Sequence, residues 1–145
     1  MGRSTVPWTL HKRALLYDRK DTDYKAYGDA LFEAERYADA LDFYLTGGVD
    51  EGVERIKEWA LGEGDYYLLA RIAERRPEEV TSAEWRRAGE AAVERGKFAF
   101  ATWCYDRAGD DERMRSAAEK AGIELPEEEE DEAGETDGEE TGEQG

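Results

Sequence analysis

Cysteine and histidine each occur once in this 145-residue chain, and proline only three times. A single thiol excludes an intramolecular disulfide framework. That fits a reducing compartment and gives the expectation of a cytoplasmic protein. A lone histidine, His11, leaves no multi-histidine metal site and no histidine dyad. Cys104, between Trp103 and Tyr105, occupies a helical packing position, where a buried thiol is usually inert. The phosphate-loop pattern GxxxxGK[ST], the dinucleotide pattern GxGxxG and the nucleophile pattern GxSxG are all missing. The chain is therefore read as a non-enzyme, with no catalytic, cofactor-binding or metal-ligating residue assigned. No run of about 18 apolar residues occurs, so no membrane span is expected. The basic N-terminus is followed by no apolar core of a secretory signal, so none is expected. The prolines lie outside the periodic runs or at their ends, and no run of alternating β-branched residues is present, which argues for an all-α chain.

Charge is abundant but uneven. The net charge is −17. Residues 126–145 contribute eleven acids and no base, while residues 1–20 carry five bases against one acid. The remaining body holds 15 bases and 25 acids. So acidic a body lacks the basic footprint that nucleic-acid binding requires. It would instead attract a basic partner. The division this suggests is a basic N-terminal arm or short helix over 1–20, a helical domain over 21–122 and a disordered acidic tail over 123–145.

The helical domain is periodic. A shift that lays Tyr24 on Trp85 also lays Gly28, Tyr37, Ala40, Tyr44 and Gly48 on Gly89, Phe98, Ala101, Tyr105 and Gly109. The same shift lays Val53, Ile56 and Ala60 on Met114, Ala117 and Ala121. A weaker unit lies between, with Val53, Ile56 and Ala60 on one helix and Tyr66, Leu69 and Ala73 on the next. First-helix anchors then fall at Tyr24, Val53, Trp85 and Met114, at nearly even intervals. Gly28 and Gly89 sit inside helices, where glycine costs about 1 kcal/mol against alanine. Close helix–helix approach is the reason to keep them, with Ala40 and Ala101 serving the same purpose from the second helix. Tyr24, Tyr37, Tyr44, Trp85, Phe98 and Tyr105 fill the gaps between hairpins.

This pattern resembles the tetratricopeptide repeat, a helix–turn–helix unit of roughly 34 residues. The period here is shorter, no unit has the usual closing proline in place, and Lys57 stands where the middle unit should have a small residue. The resemblance implies a short α-solenoid of about three hairpins with a C-terminal capping helix. It also implies a concave groove lined by the first helix of each hairpin. The inward positions would be Lys25, Asp29 and Phe32, then Glu54, Glu58 and Leu61, then Arg86, Glu90 and Val93, with Arg115 and Glu119 continuing on the last helix. Acids outnumber bases in this set, and the row of bases with which the family clamps a terminal carboxylate is missing. The expected role is an adaptor that takes a protein or peptide with a basic segment. One alternative is that these residues are only a solvated face. Another is a structural subunit docked in a larger assembly through its N-terminal segment.

Local signals set the element ends. Asp23 is among the cap candidates for the first repeat. Gly47 and Gly48 stop its second helix, and Asp50 is a candidate cap for the next. Glu63, Gly64 and Asp65 form a turn, and Pro77 closes the second unit. Thr81 and Glu84 match a capping box. Gly109 and Asp110 repeat the stop and cap. On the arm, Trp8, His11 and Leu15 would share a helical face behind Pro7. That face would either pack on the first repeat or dock elsewhere.

Overall fold

A computed structural model describes residues 23–127, so the expectations for the arm over 1–20 and for most of the tail lie outside the described residues. Within them all regular structure is helical, with no strand. The helices are α1 (Tyr24–Glu33), α2 (Tyr37–Gly47), α3 (Asp50–Glu63), α4 (Tyr66–Arg75), α5 (Ser82–Glu94), α6 (Phe98–Ala108) and α7 (Asp111–Ala121). A 3₁₀ turn, Pro77–Glu79, separates α4 from α5.

The ends form largely as the local chemistry dictates. Asp23, Asp65 and Asp110 accept hydrogen bonds from the backbone N–H groups of Ala26, Leu68 and Arg113. Thr81 and Glu84 form the full capping box at the start of α5. One assignment is corrected: Val49 is the N-cap residue of α3 and gives no side-chain cap, while Asp50 is the first helical residue. There its carboxylate faces the positive end of the helix dipole and pairs with Arg76 at 3.0 Å.

Along the chain each helix packs on the next, except that α4 meets the 3₁₀ turn before α5 more than α5 itself. In addition α1 touches α3, α2 touches α4, α3 touches α5, and α4 touches α6. The main core is aliphatic and aromatic, built on Leu31, Leu41, Phe43, Tyr44, Ile56, Leu61, Leu69 and Ile72, all inaccessible to solvent. A second cluster, in which the alanines Ala92, Ala101 and Ala117 surround Tyr105, joins α5, α6 and α7.

Two glycines explain how the first three helices approach. The Tyr44 ring, from α2, lies where a Cβ on Gly28 of α1 would be, and equally where a Cβ on Gly52 of α3 would be. The ring thus fills a slot bounded by backbone on both sides. Its hydroxyl donates to Oδ1 of Asp29 at 2.5 Å, one residue along from Gly28. Burial, and then that carboxylate, push the phenol well above its ordinary range. In the third hairpin Tyr105 lies on Gly89 in the same way, its ring 2.8 Å from where a Cβ would be. The position that the repeat shift pairs with Gly52 is Arg113, so the second wall of that slot is absent.

The turns between α1 and α2 and between α5 and α6 also match. Arg36 N–H donates to Leu31 O, and Lys97 N–H to Ala92 O. The residue before each donor is left-handed: Glu35 at φ 62° and Gly96 at φ 74°. Only the third hairpin has the residue that adopts this backbone freely.

The chain after α7 keeps contact with the helices as far as Leu125. Ile123 N–H donates to Ala118 O at 2.9 Å, and Ile123 and Leu125 are half-buried.

These contacts bear on stability in ways that can be measured. Gly28→Ala drives a methyl into the Tyr44 ring and destabilises by about 1–3 kcal/mol. Gly62→Ala, in α3 with nothing within 4 Å of the added methyl, stabilises by about 0.5–1 kcal/mol. Urea denaturation of the two variants should move in opposite directions; a shift of the same sign would remove the slot explanation. Glu35→Gly transplants the third hairpin's turn into the first and raises stability by about 1 kcal/mol. A fall in the denaturation midpoint would contradict that.

Candidate partner interface

The residues assigned to a partner face lie on α1, α3 and α5, and most of them already have a partner within the chain. Lys25 pairs with Asp29 at 2.7 Å and with Glu51 at 3.5 Å. Arg55 reaches Asp29 at 3.6 Å and Glu33 at 3.9 Å, and its guanidinium lies 3.8 Å over the Phe32 ring. Glu54 pairs with Lys57 at 3.6 Å, Glu58 with Arg87 at 3.5 Å, and Arg86 with Asp110 at 3.4 Å. Burial opposes the charge on Asp29, but hydrogen bonds from Lys25 and Tyr44 outweigh it and hold the carboxyl below its ordinary range.

A ladder runs through these pairs. Arg55 and Arg87 each stand two residues after a first-helix anchor, Val53 or Trp85. Each reaches back to the acid five residues after the preceding anchor, Asp29 after Tyr24 and Glu58 after Val53. The next acid in the series is Glu90. The matching position on α7 is Ser116, so the ladder ends there. Glu90 is exposed and makes no ion pair among the described residues. Arg55 and Arg87 are face residues that the repeat register alone does not assign. The signal for them is their shared offset from the anchors.

Two assigned positions lie elsewhere than expected. Leu61 is inaccessible to solvent and belongs to the main core. It completes the stripe Val53, Ile56, Lys57, Ala60, Leu61, which has the i, i+3, i+4, i+7, i+8 spacing of a buried helix face. A partner cannot touch it. Val93 is half-buried against the small-residue cluster, at the edge of a shallow recess of about 180 Å³ beside Tyr105 and Lys120. Glu119 is exposed, and Arg115 pairs with Asp111 at 3.5 Å.

Lys57 occupies the same buried stripe, which explains the irregular middle unit. Its ammonium donates to Glu79 O at 2.8 Å and pairs with Glu84 at 3.1 Å. Burial works against its charge, but the Glu84 carboxylate more than compensates and raises the pKa above the ordinary lysine value. The partner carboxyl is lowered: burial opposes this too, and the Thr81 N–H and Lys57 overcome it. The pair ties α3 to the start of α5.

Cys104 is fully buried, and burial pushes its thiol up to about 12. No cluster of three or more metal-ligating side chains occurs among the described residues. Nor is any described helix long and apolar enough to cross a membrane.

Glu84 sets an acid limit on stability. Its lowered carboxyl pKa means that its contribution is present above the ordinary carboxylate value and lost as pH falls through the folded value. Glu84→Gln should cost about 1–2 kcal/mol at pH 7. In urea titrations the difference from wild type should shrink steadily below about pH 4. A difference independent of pH would show that the charge of Glu84 contributes nothing. No protein-family model, curated protein or solved structure matches this chain.

Proposed function

We propose that the described residues form a short tetratricopeptide-like α-solenoid of three hairpins closed by α7. Three features support this reading. From α1 to α6, each helix touches the next but one in the series, as stacked hairpins require. The shift that lays Tyr24 on Trp85 also carries the start of α2 onto that of α6, and the start of α3 onto that of α7. Finally, the tyrosine-on-glycine contact recurs between the first and third hairpins.

On this scaffold the chain acts as a non-catalytic adaptor. Its first-helix face receives a protein segment rich in lysine or arginine, and the observation that carries this is the end of the ladder at Glu90. Along α1 and α3 the carboxylates are satisfied internally, whereas Glu90 offers a charge with no ion-pair partner. Exposed ion pairs are worth roughly 0–1 kcal/mol, so an incoming base can exchange into the neighbouring pairs at little cost. The acidic body steers such a segment toward the face.

Glu90→Lys, alone and with Glu54→Lys and Glu58→Lys, tests the assignment. The three residues are exposed, so circular dichroism and the melting curve should stay close to wild type. Quantitative affinity purification should lose its basic partners by about tenfold or more. Full recovery of the same partners by the folded triple variant would rule the face out.

A further inference from the structure

A second apolar opening lies at the far end of the helix series. A cleft of about 340 Å³ separates the outer side of α6 and α7 from the segment that follows α7. Trp103, Met114, Ile123 and Leu125 supply its apolar lining, all half-buried. Its rim is acidic. Asp106 and Glu127 line it and make no ion pair among the described residues, while Arg115 is occupied by Asp111.

The apolar surface extends beyond the cleft. Trp103 contacts Phe100 with ring centroids 6.0 Å apart, and Phe100 meets Tyr67 edge-on at 5.3 Å. Tyr67 is 57% exposed, and among the described residues it is the large apolar side chain most open to solvent. A continuous strip therefore runs from Leu125 across Trp103 to Tyr67, on side chains the first-helix face does not use. Contiguous exposed apolar surface rimmed by polar groups marks an interaction site, and aromatic residues are the usual anchors of such sites.

We propose that this cleft docks a basic amphipathic segment of another protein, seating one bulky apolar side chain against Trp103 and Leu125. Charge decides the class of occupant. The rim carries acids without ion-pair partners, and the chain continues past Glu127 into a run of acidic residues. Such a field repels nucleic acid, anionic lipid and acidic peptides, and favours lysines and arginines. The apolar floor would leave a purely polar basic peptide with nothing to bury, so both properties are required in one segment. This site is independent of the first-helix face.

The test uses the full chain and two fluorescently labelled fifteen-residue peptides. One is an amphipathic lysine/leucine helix; the other replaces every leucine by serine. Anisotropy should show binding of the first at least about tenfold tighter than the second. Leu125→Lys, beyond the last helix, and Trp103→Ala, checked for fold by circular dichroism, should each weaken the first peptide by about tenfold. Glu90→Lys should leave it within about threefold of wild type. Three outcomes overturn the proposal. Equal binding of both peptides means that charge alone attracts them. Loss with Glu90→Lys but not with Leu125→Lys places the segment on the first-helix face. A Trp8→Ala full chain that binds the peptide markedly more tightly shows that the arm of this chain is the natural occupant.

Discussion

The seating of the Tyr44 ring between Gly28 and Gly52 fixes the geometry on which the rest depends. A tyrosine buries a large area only if something small faces it. Here two helices give up their side chains so that a third can place a ring between their backbones. Each glycine weakens its own helix by about 1 kcal/mol, and the buried ring more than offsets that loss. The hydroxyl then bonds Asp29, which also holds Lys25 and Arg55. One side chain thereby couples the core to the charged face of α1 and α3, so the orientation of the surface acids is set from inside.

The other hairpins solve the same packing problem by different means. In the middle unit Lys57 stands in the buried stripe. A cation there is tolerable only because Glu79 O and Glu84 are in position, and a buried pair adds specificity more readily than stability. It ties α3 to α5 at a fixed register. In the third unit Tyr105 keeps Gly89 but faces Arg113 rather than a second glycine. Its neighbours are alanines, and they form a separate small cluster with α7. Elsewhere on α6, Phe100 and Trp103 meet Tyr67 and stay partly open.

Much of this is readable from residue spacing. Glycines in helix interiors announce close approach, and Gly28 and Gly89 each face a tyrosine. The capping box at Thr81 and the stops at Gly48 and Gly109 are local chemistry that the nearest residues determine. The face is less legible. Leu61 looks like a groove residue because the repeat register places it there, yet the stripe that begins at Val53 takes it into the core. Arg55 and Arg87 escape notice because their partners, Asp29 and Glu58, lie on an earlier helix, and a pair between helices far apart in sequence becomes visible only in the fold. The aromatic strip from Tyr67 to Trp103 is hidden for a related reason. Its members lie on α4 and α6, and nothing in one helix reveals the neighbour that extends it.

The two proposed surfaces differ in what each can contribute to binding. Exchange of exposed ion pairs changes few net contacts, so the first-helix face provides steering and register more than affinity. The strip across Trp103 and Leu125 removes apolar area from water, which at about 25 cal/mol per Å² is where affinity accumulates. It lacks the repeated charges that would fix register. On the proposed reading a basic amphipathic segment gains most from the second surface and a polar basic segment from the first. The same acidic field draws both in, and the apolar content of the segment decides between them. That division follows from the packing itself: α1 and α3 bury their large apolar side chains and turn charge outward, while α4 and α6 leave aromatic area partly open.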